Sequence, residues 1–398
     1  MSYPIVKLGD VADFIRGITF KPTDVVPLDA DDAVVCMRTK NVQTLLDCED
    51  LLAVPSQFVR RKDQYLQEGD ILVSSANSWN LVGKCCWIPR LPWRAAFGGF
   101  ISVLRGEPSQ VDRRYLYWWF ASERVQALLR SFGQKTTNIS NLNIDRCLQL
   151  DLPLPPLPEQ RRIAAILDQA DALRAKRREA LAQLDRLAQS VFVEMFGDPV
   201  SNPMNWPMES LTDVCHCYSG GTPSKSNPEY WQGDLPWFSA KDLKADDLFD
   251  SQDHISETVP KTTSLKLLPA DTVAIVVRGM ILAHTFPVSV LRVPATINQD
   301  LKALLPRKPI ETQFLACCLR AQRDFILEKV SEAGHGTKRL DTLGLQEIRV
   351  PQVPDSLQKV FVARNKAIEN LKTQHRTALA ELDALFASLQ HRAFRGEL

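Results

Sequence analysis

Apolar positions along the chain switch between two rhythms, and each rhythm occurs twice. Short runs rich in β-branched residues, ILVS from Ile71 and VAIVV from Val273, are bounded by Gly, Pro and Asp and predict strands. Later in each half, RRYLYWWFASERVQALLRSF from Arg113 and ETQFLACCLRAQRDFILEKV from Glu311 space their apolar residues as amphipathic helices do. Tyr115, Trp118, Trp119 and Phe120 in the first of these are read as packed core rather than as a base-stacking platform.

From Glu159 to Phe196 the rhythm becomes heptad. Ile163, Ala170, Leu184 and Val191 form one row, and Ile166, Leu173, Ala180 and Leu187 the other. Adding 198 lands on Phe361, Ile368, Leu382 and Leu389, then on Leu371, Ala378 and Leu385, with Arg364 the exception. Both first rows break at matched positions, Arg177 and His375. A polar residue in an apolar seam fixes register and orientation, so the matched breaks predict two long antiparallel coiled-coil helices about a pseudo-twofold axis. At 1.5 Å per residue such a helix spans roughly 57 Å.

The rest of the chain is also written twice. Leu8, Asp10, Val11, Gly17 and Thr19 reappear 203 residues on as Leu211, Asp213, Val214, Gly220 and Thr222. Lys40, Asp70 and Leu142 answer to Lys241, Asp271 and Leu343 at an offset of 201. ALAQLDRL (180–187) matches ALAELDAL (378–385) at 198. Drifting offsets are what loop insertions between two copies of one unit leave. The expected architecture is α+β: two pseudo-repeated α/β domains separated by two long antiparallel coiled-coil helices, with segments 1–157, 158–196, 197–355 and 356–398. Pro153, Pro155, Pro156 and Pro158 brace the lead-in to the first helix, and VPQVPDSLQ from Val350 repeats the device more weakly. Gly197 before Pro199, and Gly396, mark the two helix ends.

A length of 398 residues fits two domains plus connectors. No signal peptide and no run of ~18 apolar residues is present, so a cytoplasmic protein is expected. Nine cysteines in adjacent pairs or alone do not make a disulfide framework. Cys215-His216-Cys217 lacks zinc-ligand spacing, and no metal site is expected. Net charge is +1; residues 1–157 carry 18 basic and 17 acidic side chains (+1), and 197–355 carry 16 and 20 (−4). Contact with DNA would therefore be local or shared with a partner.

Catalytic motifs are missing: no GxxxxGK[ST] loop, no GxGxxG after a strand, no GxSxG elbow and no HExxH helix. Asn227-Pro228-Glu229-Tyr230 resembles the NPPY signature of amino-methyltransferases, but its third residue is acidic and no glycine-rich methyl-donor loop accompanies it. The chain is expected to be non-catalytic.

PLPPLPEQRRIAAILDQAD with its long helix ending in FGDP resembles the central region of the specificity (S) subunit of type I restriction-modification systems. YSGGTPSKSNPEYWQGDLPWFSAKDL from Tyr218 looks like the opening of that family's target recognition domains, and TINQDLKALLP from Thr296 like a later segment. VPDSLQKV departs from the family's PPLxEQ-like pattern, which puts the equivalence of the two helix lead-ins in question. The resemblance covers essentially the whole chain. It implies two target recognition domains, each reading one half of a split double-stranded DNA site, with helices that set the spacer and dock two methyltransferase (M) subunits. It implies no cofactor on this chain itself, S-adenosylmethionine on the M subunits, and ATP and Mg2+ on motor-nuclease (R) subunits. Base readout needs donor and acceptor side chains on loops held by a scaffold. In the first half these are Lys40, Asn41, Ser74, Ser75, Asn77, Ser78, Trp79, Lys135, Thr136, Thr137 and Asn138. In the second they are Thr222, Ser224, Lys225, Lys241, Arg278, His284, Thr337, Lys338 and Arg339. Each of them fits a solvated loop equally well. Two other readings stay open: a self-sufficient adenine methyltransferase built on Asn227–Tyr230, and a recognition subunit of another methyltransferase-based defence system.

Overall fold

A computed structural model of the chain describes residues 3–132, 134–135, 140–332 and 334–398, with Gln134, Lys135 and His335 described by backbone alone. It forms two compact units, Met1–Arg177 with Ala378–Leu398, and Arg178–Thr377. The division falls inside both long helices, Leu157–Phe196 and Asp355–Ala393, because the first half of each packs on the globular part that precedes it.

In the first unit a four-stranded antiparallel sheet runs in the order Ala12–Arg16, Ile101–Gly106, Ile71–Ser74, Cys85–Trp87. A second sheet holds Ala33–Met37 between Ala53–Pro55 and a parallel Ala95–Phe97. The second unit repeats the plan. Cys215–Ser219, Leu301–Pro306, Thr272–Val276, Val288–Leu291 and Asp247–Leu248 form one sheet, and Leu235–Phe238 lies between Asp253–Ile255 and a parallel Thr296–Ile297 in the other. The runs ILVS and VAIVV are thus the central strands, and Ile71–Ser74 and Thr272–Val276 are buried throughout. The repeated glycine also has a cause: a Cβ on Gly17 would run into the carbonyl oxygen of Gly98, and one on Gly220 into that of Ile297.

Each expected sheet-covering helix is broken in two. Arg113–Phe120 gives way to Glu123–Ser131, where Ser122 Oγ accepts the Val125 N–H and starts a new helix. Thr312–Ala321 likewise gives way to Arg323–Glu328. Tyr115, Trp118, Trp119 and Phe120 are buried, as core aromatics should be. Arg114 lies over the rings of Trp87, Tyr117 and Trp118 and donates to Asp168 Oδ1 at 2.6 Å, which ties this helix to the long one.

The lead-in to each long helix is locked by one buried glutamine. Gln160 Oε1 accepts the Asp112 N–H (2.7 Å) while its Nε2 donates to Pro155 O (2.8 Å) and Gln110 O (3.3 Å). Gln358, 198 residues on, accepts the Glu311 N–H (3.0 Å) and donates to Val353 O (2.9 Å). The weaker second motif therefore builds the same joint. At the far ends Gly197 and Gly396 both take positive φ, 79° and 75°.

Within each unit the two helical segments run antiparallel and are cross-linked by equivalent ion pairs. In the first, Arg174 binds Asp171 on its own helix (2.9 Å) and Asp383 on the other (2.6 Å). In the second, Lys372 binds Glu369 on its own helix (2.7 Å) and Asp185 on the other (2.7 Å). Burial alone would lower the Lys372 pKa, but the hydrogen bonds its ammonium donates to the Asp185 and Glu369 carboxylates outweigh it and hold the ammonium above its ordinary range. These cross-links lie one turn before Arg177 and His375, the expected seam breaks.

Two sequence expectations need correction. The second heptad row is not buried: Leu173, Leu187, Leu371 and Leu385 are exposed, whereas Ile163, Leu167, Ala170, Phe361, Ile368 and Lys372 face inward. The globular parts claim the inward face, with a 3.6-residue period that drifts off the heptad. The partner of Leu142 is Leu340 rather than Leu343. Leu142 N–H bonds Ser75 O and Leu340 N–H bonds Val277 O, both side chains are buried, and Leu343 is exposed. Among the described residues no helix is long and apolar enough to cross a membrane.

Candidate nucleic-acid interface

Both units carry the same loop assembly at the end of their central strand. In the first unit the chain leaves Ile71–Ser74 and forms the short strand Ala76–Asn77, which pairs antiparallel with Ser140–Asn141; that strand in turn pairs with Gln134–Lys135. Phe100 O anchors the loop by accepting the Ser75 and Ala76 N–H groups (3.0 and 3.1 Å). In the second unit Asp300 O accepts the Val277 and Arg278 N–H groups (2.8 and 3.3 Å). Arg278 bridges antiparallel to Arg339, in a hairpin of Ser331–Glu332 with Lys338–Arg339. The structure thus gathers residues 60 or so positions apart into one narrow ribbon, Ser75–Asn77 with Lys135 in one unit, and Arg278 with Lys338 and Arg339 in the other. The major groove of B-DNA admits a two-stranded ribbon, such as the pair Ala76–Asn77 with Ser140–Asn141 within this small sheet.

The remaining candidates lie in loops of the same two units. Ser78 Oγ bonds Asn80 Oδ1 (2.7 Å), and Trp79 is half exposed beside it. Thr222 Oγ1 donates to Gln299 Oε1 (2.7 Å), which joins the first loop of the second unit to the turn that carries Asp300. Ser224 Oγ meets Ser226 Oγ (2.7 Å), and Lys225 is exposed. His284 is exposed at the end of the turn Met280–Ala283, and Thr337 is half-buried in the hairpin. Lys338 is paired with Glu332 at 3.0 Å. Lys40 and Lys241 keep the equivalence read from sequence. Lys40 pairs with Asp50 and Lys241 with Asp253, whose carboxylate holds the Lys241 ammonium above its ordinary range. Thr136, Thr137 and Asn138 lie outside the described residues.

Two candidates face the wrong way for readout. Asn41 is 1% exposed; its Nδ2 donates to Asp47 O and Asp50 O, and its Oδ1 accepts the Arg38 N–H, so its amide holds the loop in shape. Ser74 is equally buried and accepts from Asn77 Nδ2 at 3.0 Å. Both belong to the scaffold under the loop surface in this conformation. Sequence reasoning missed Asn141, opposite Ala76 on the ribbon, Gln299, and the exposed Phe100 and Met280. An aromatic directly after Gly98-Gly99 was the available signal for Phe100; nothing local marked Asn141.

The other chemical motifs resolve into structure. Asn227 Oδ1 accepts the Glu229 N–H (3.2 Å) and caps the turn Pro228–Trp231. Cys215, His216 and Cys217 lie along one strand, so the histidine points away from the two thiols, and burial pushes the Cys215 thiol up to about 12.

A family model described as "Type I restriction modification DNA specificity domain" matches the chain twice, over residues 3–184 and 203–383. The chain belongs to that family. The two matches coincide with the two copies found in the sequence, and the family's fold is the repeated α+β plan described above. The chain is 30% identical over 249 residues to the type I restriction enzyme EcoR124I/EcoR124II specificity subunit of Escherichia coli, covering 60% of this chain and 58% of the relative. It is 29% identical over 198 residues to the EcoKI specificity subunit of E. coli strain K12, covering 48% and 41%. The chain spans about half the length of the curated relatives it matches. The crystal structure of a type I restriction-modification S subunit from M. genitalium shares the fold over 99% of this chain and 96% of its own, at a TM-score of 0.54 and 17% identity. A chain from a structural study of complex assembly and conformational transition of the type I R-M system shares it over 100% and 98%, at a TM-score of 0.56 and 20% identity.

Proposed function

We propose that this chain is the DNA-sequence recognition subunit of a type I restriction-modification complex. Segments 1–157 and 197–355 each read one half of a split DNA site. The helical segments 158–196 and 356–398 set the spacer between the half-sites and dock two methyltransferase (M) subunits. The observation that carries this reading is the doubled family match, 3–184 and 203–383, on a chain whose two copies build one ribbon from equivalent positions with different side chains. Equivalent scaffolds with unlike readers suit an asymmetric site.

The physics is compatible. A helix of 40 residues is ~60 Å long, and successive major grooves on one face of DNA recur every ~34 Å. Near-neutral net charge fits a subunit whose partners supply much of the phosphate contact. The exposed Leu173, Leu187, Leu371 and Leu385 offer matched apolar contacts to partner helices. The chain itself catalyses nothing and binds no cofactor; the M subunits bring S-adenosylmethionine, and motor-nuclease (R) subunits, with ATP and Mg2+, add cleavage. The complex works in the cytoplasm.

Co-expression with the M subunit in a host free of adenine methylation, followed by genome-wide mapping of methylated adenine, tests the reading. A split motif that disappears when this chain is omitted is expected. A stable complex that leaves no split motif would refute it.

A further inference from the structure

We propose that Arg278 and Arg339 recognise guanine in the half-site read by the second unit, whereas the equivalent pair in the first unit, Ala76 and Asn141, recognises an A·T pair. This rests on the DNA-recognition reading and assigns base chemistry to its two ribbons.

The equivalence is fixed by hydrogen bonds. Around Arg278 and Arg339, Gly279 N–H bonds Lys338 O (3.0 Å) and Leu340 N–H bonds Val277 O (2.9 Å). The two arginines are therefore a non-hydrogen-bonded antiparallel pair, the closer of the two pair types, with both side chains on one face. In the first unit Leu142 N–H bonds Ser75 O (2.8 Å), and the register sets Ala76 against Asn141. Phe100 O and Asp300 O hold the two loops at the same point.

Folding gives no reason for two arginines there. Like charges directly opposite destabilise a strand pair. Both side chains are exposed, and among the described residues neither guanidinium has a hydrogen-bond or ion-pair acceptor; the nearby Glu332 is taken by Lys338. In the free chain solvent satisfies both guanidinium groups, so the pair is available to an acceptor on a partner. Phosphate is one, but a backbone clamp carries no sequence information and would serve both units alike. At the identical ribbon position the first unit has a methyl and an amide. Arginine makes a bidentate contact to guanine O6 and N7, asparagine one to adenine N6 and N7, and an alanine methyl packs on the thymine methyl. Side chains that differ at one shared position are what two different half-sites require.

The test uses the full chain with its M subunit and maps methylated adenines for the wild type and for Arg278→Ala, Arg339→Ala, Arg339→Lys and Asn141→Ala. Thermal melts establish that each variant is folded. The wild-type motif should contain guanine in one half, and the arginine variants, including the charge-preserving lysine, should relax that base roughly 5- to 150-fold while leaving the other half unchanged. Asn141→Ala should relax an A·T position in the other half only. An unchanged motif, or methylation falling equally at all sites with the motif intact, would overturn the assignment in favour of phosphate contact. A split motif with no guanine in the half that responds to Arg278 and Arg339 overturns this inference alone. A wild-type chain that directs no split motif removes the recognition reading and this inference together.

Discussion

Replacing Gln160 with alanine should loosen the joint between the first globular part and its helix. The side chain is 1% exposed and makes three hydrogen bonds, one from the Asp112 N–H and two to the carbonyls of Pro155 and Gln110. Alanine leaves the Asp112 N–H and the Pro155 carbonyl without their partner, at about 1–3 kcal/mol for each such buried group. Asp112 also caps the helix Arg113–Phe120 through the Arg114 and Tyr115 N–H groups, so its displacement reaches the aromatic core. The total is about 2–5 kcal/mol, because water entering the gap recovers part of the sum. For a unit of this size that lowers the melting temperature by roughly 4–20 °C. Gln160→Glu should be destabilising at neutral pH as well, since a carboxylate would then face two carbonyl oxygens, and should recover in part on acidification, when the protonated form regains a donor. Gln358→Ala, with two bonds to lose, should cost slightly less in the other unit. Calorimetry and hydrogen exchange at the Asp112 amide read both effects. A Gln160→Ala protein that melts within about 1 °C of wild type, with Asp112 still protected, would refute the reasoning.

Four further outcomes follow from the structure. Lys372→Met should cost about 2 kcal/mol and Arg174→Met about 1, because the Lys372 side chain is 2% exposed and that of Arg174 18%; equal costs in urea unfolding would contradict this. The folded pKa of Lys372 is raised, so its contribution is complete below the unfolded value of ~10.4 and is lost only as pH climbs through the higher folded value; a wild-type advantage over Lys372→Met that already fades between roughly pH 7 and 9 would refute this. Burial pushes the Cys36, Cys86, Cys147 and Cys318 thiols up to about 12, so a thiol reagent at neutral pH should label exposed Cys48 and spare these four until denaturation, as peptide mass spectrometry would reveal. Leu187→Asp with Leu385→Asp should shift the chain's own stability by no more than about 0.5 kcal/mol yet weaken M-subunit binding at least roughly tenfold; unchanged binding by calorimetric titration would remove these leucines from the docking surface.

Much of the candidate interface lay beyond the reach of sequence reasoning. Lys40 and Lys241 were correctly matched because both sit in loops of conserved length between equivalent strands, and each keeps an aspartate partner. Arg278 and Arg339 were both singled out as donors, but nothing in the sequence set them side by side, since a two-residue ribbon has no periodicity to detect. Asn41 looked like a reader because asparagine in a polar loop suits either role, and only its three hydrogen bonds assign it to the scaffold. Asn141 went unnoticed because its place on the ribbon is set by Ala76, which lies far from it in the chain.

By itself the sequence determined the duplication, the central strands Ile71–Ser74 and Thr272–Val276, and the existence and ends of both long helices. These are local matters: strand runs, helical spacing and glycine stops act over a few residues, and a repeat is visible wherever its copies are compared. Tertiary structure alone decided which helix face is inward, leaving Leu173 and Leu187 exposed while Ile163 and Leu167 are buried, and which loop residues converge on the ribbons. The reason is physical. A heptad row states that a face is apolar but not what covers it, and a polar loop residue states that it can bond but not to what; both answers depend on residues far away in the chain.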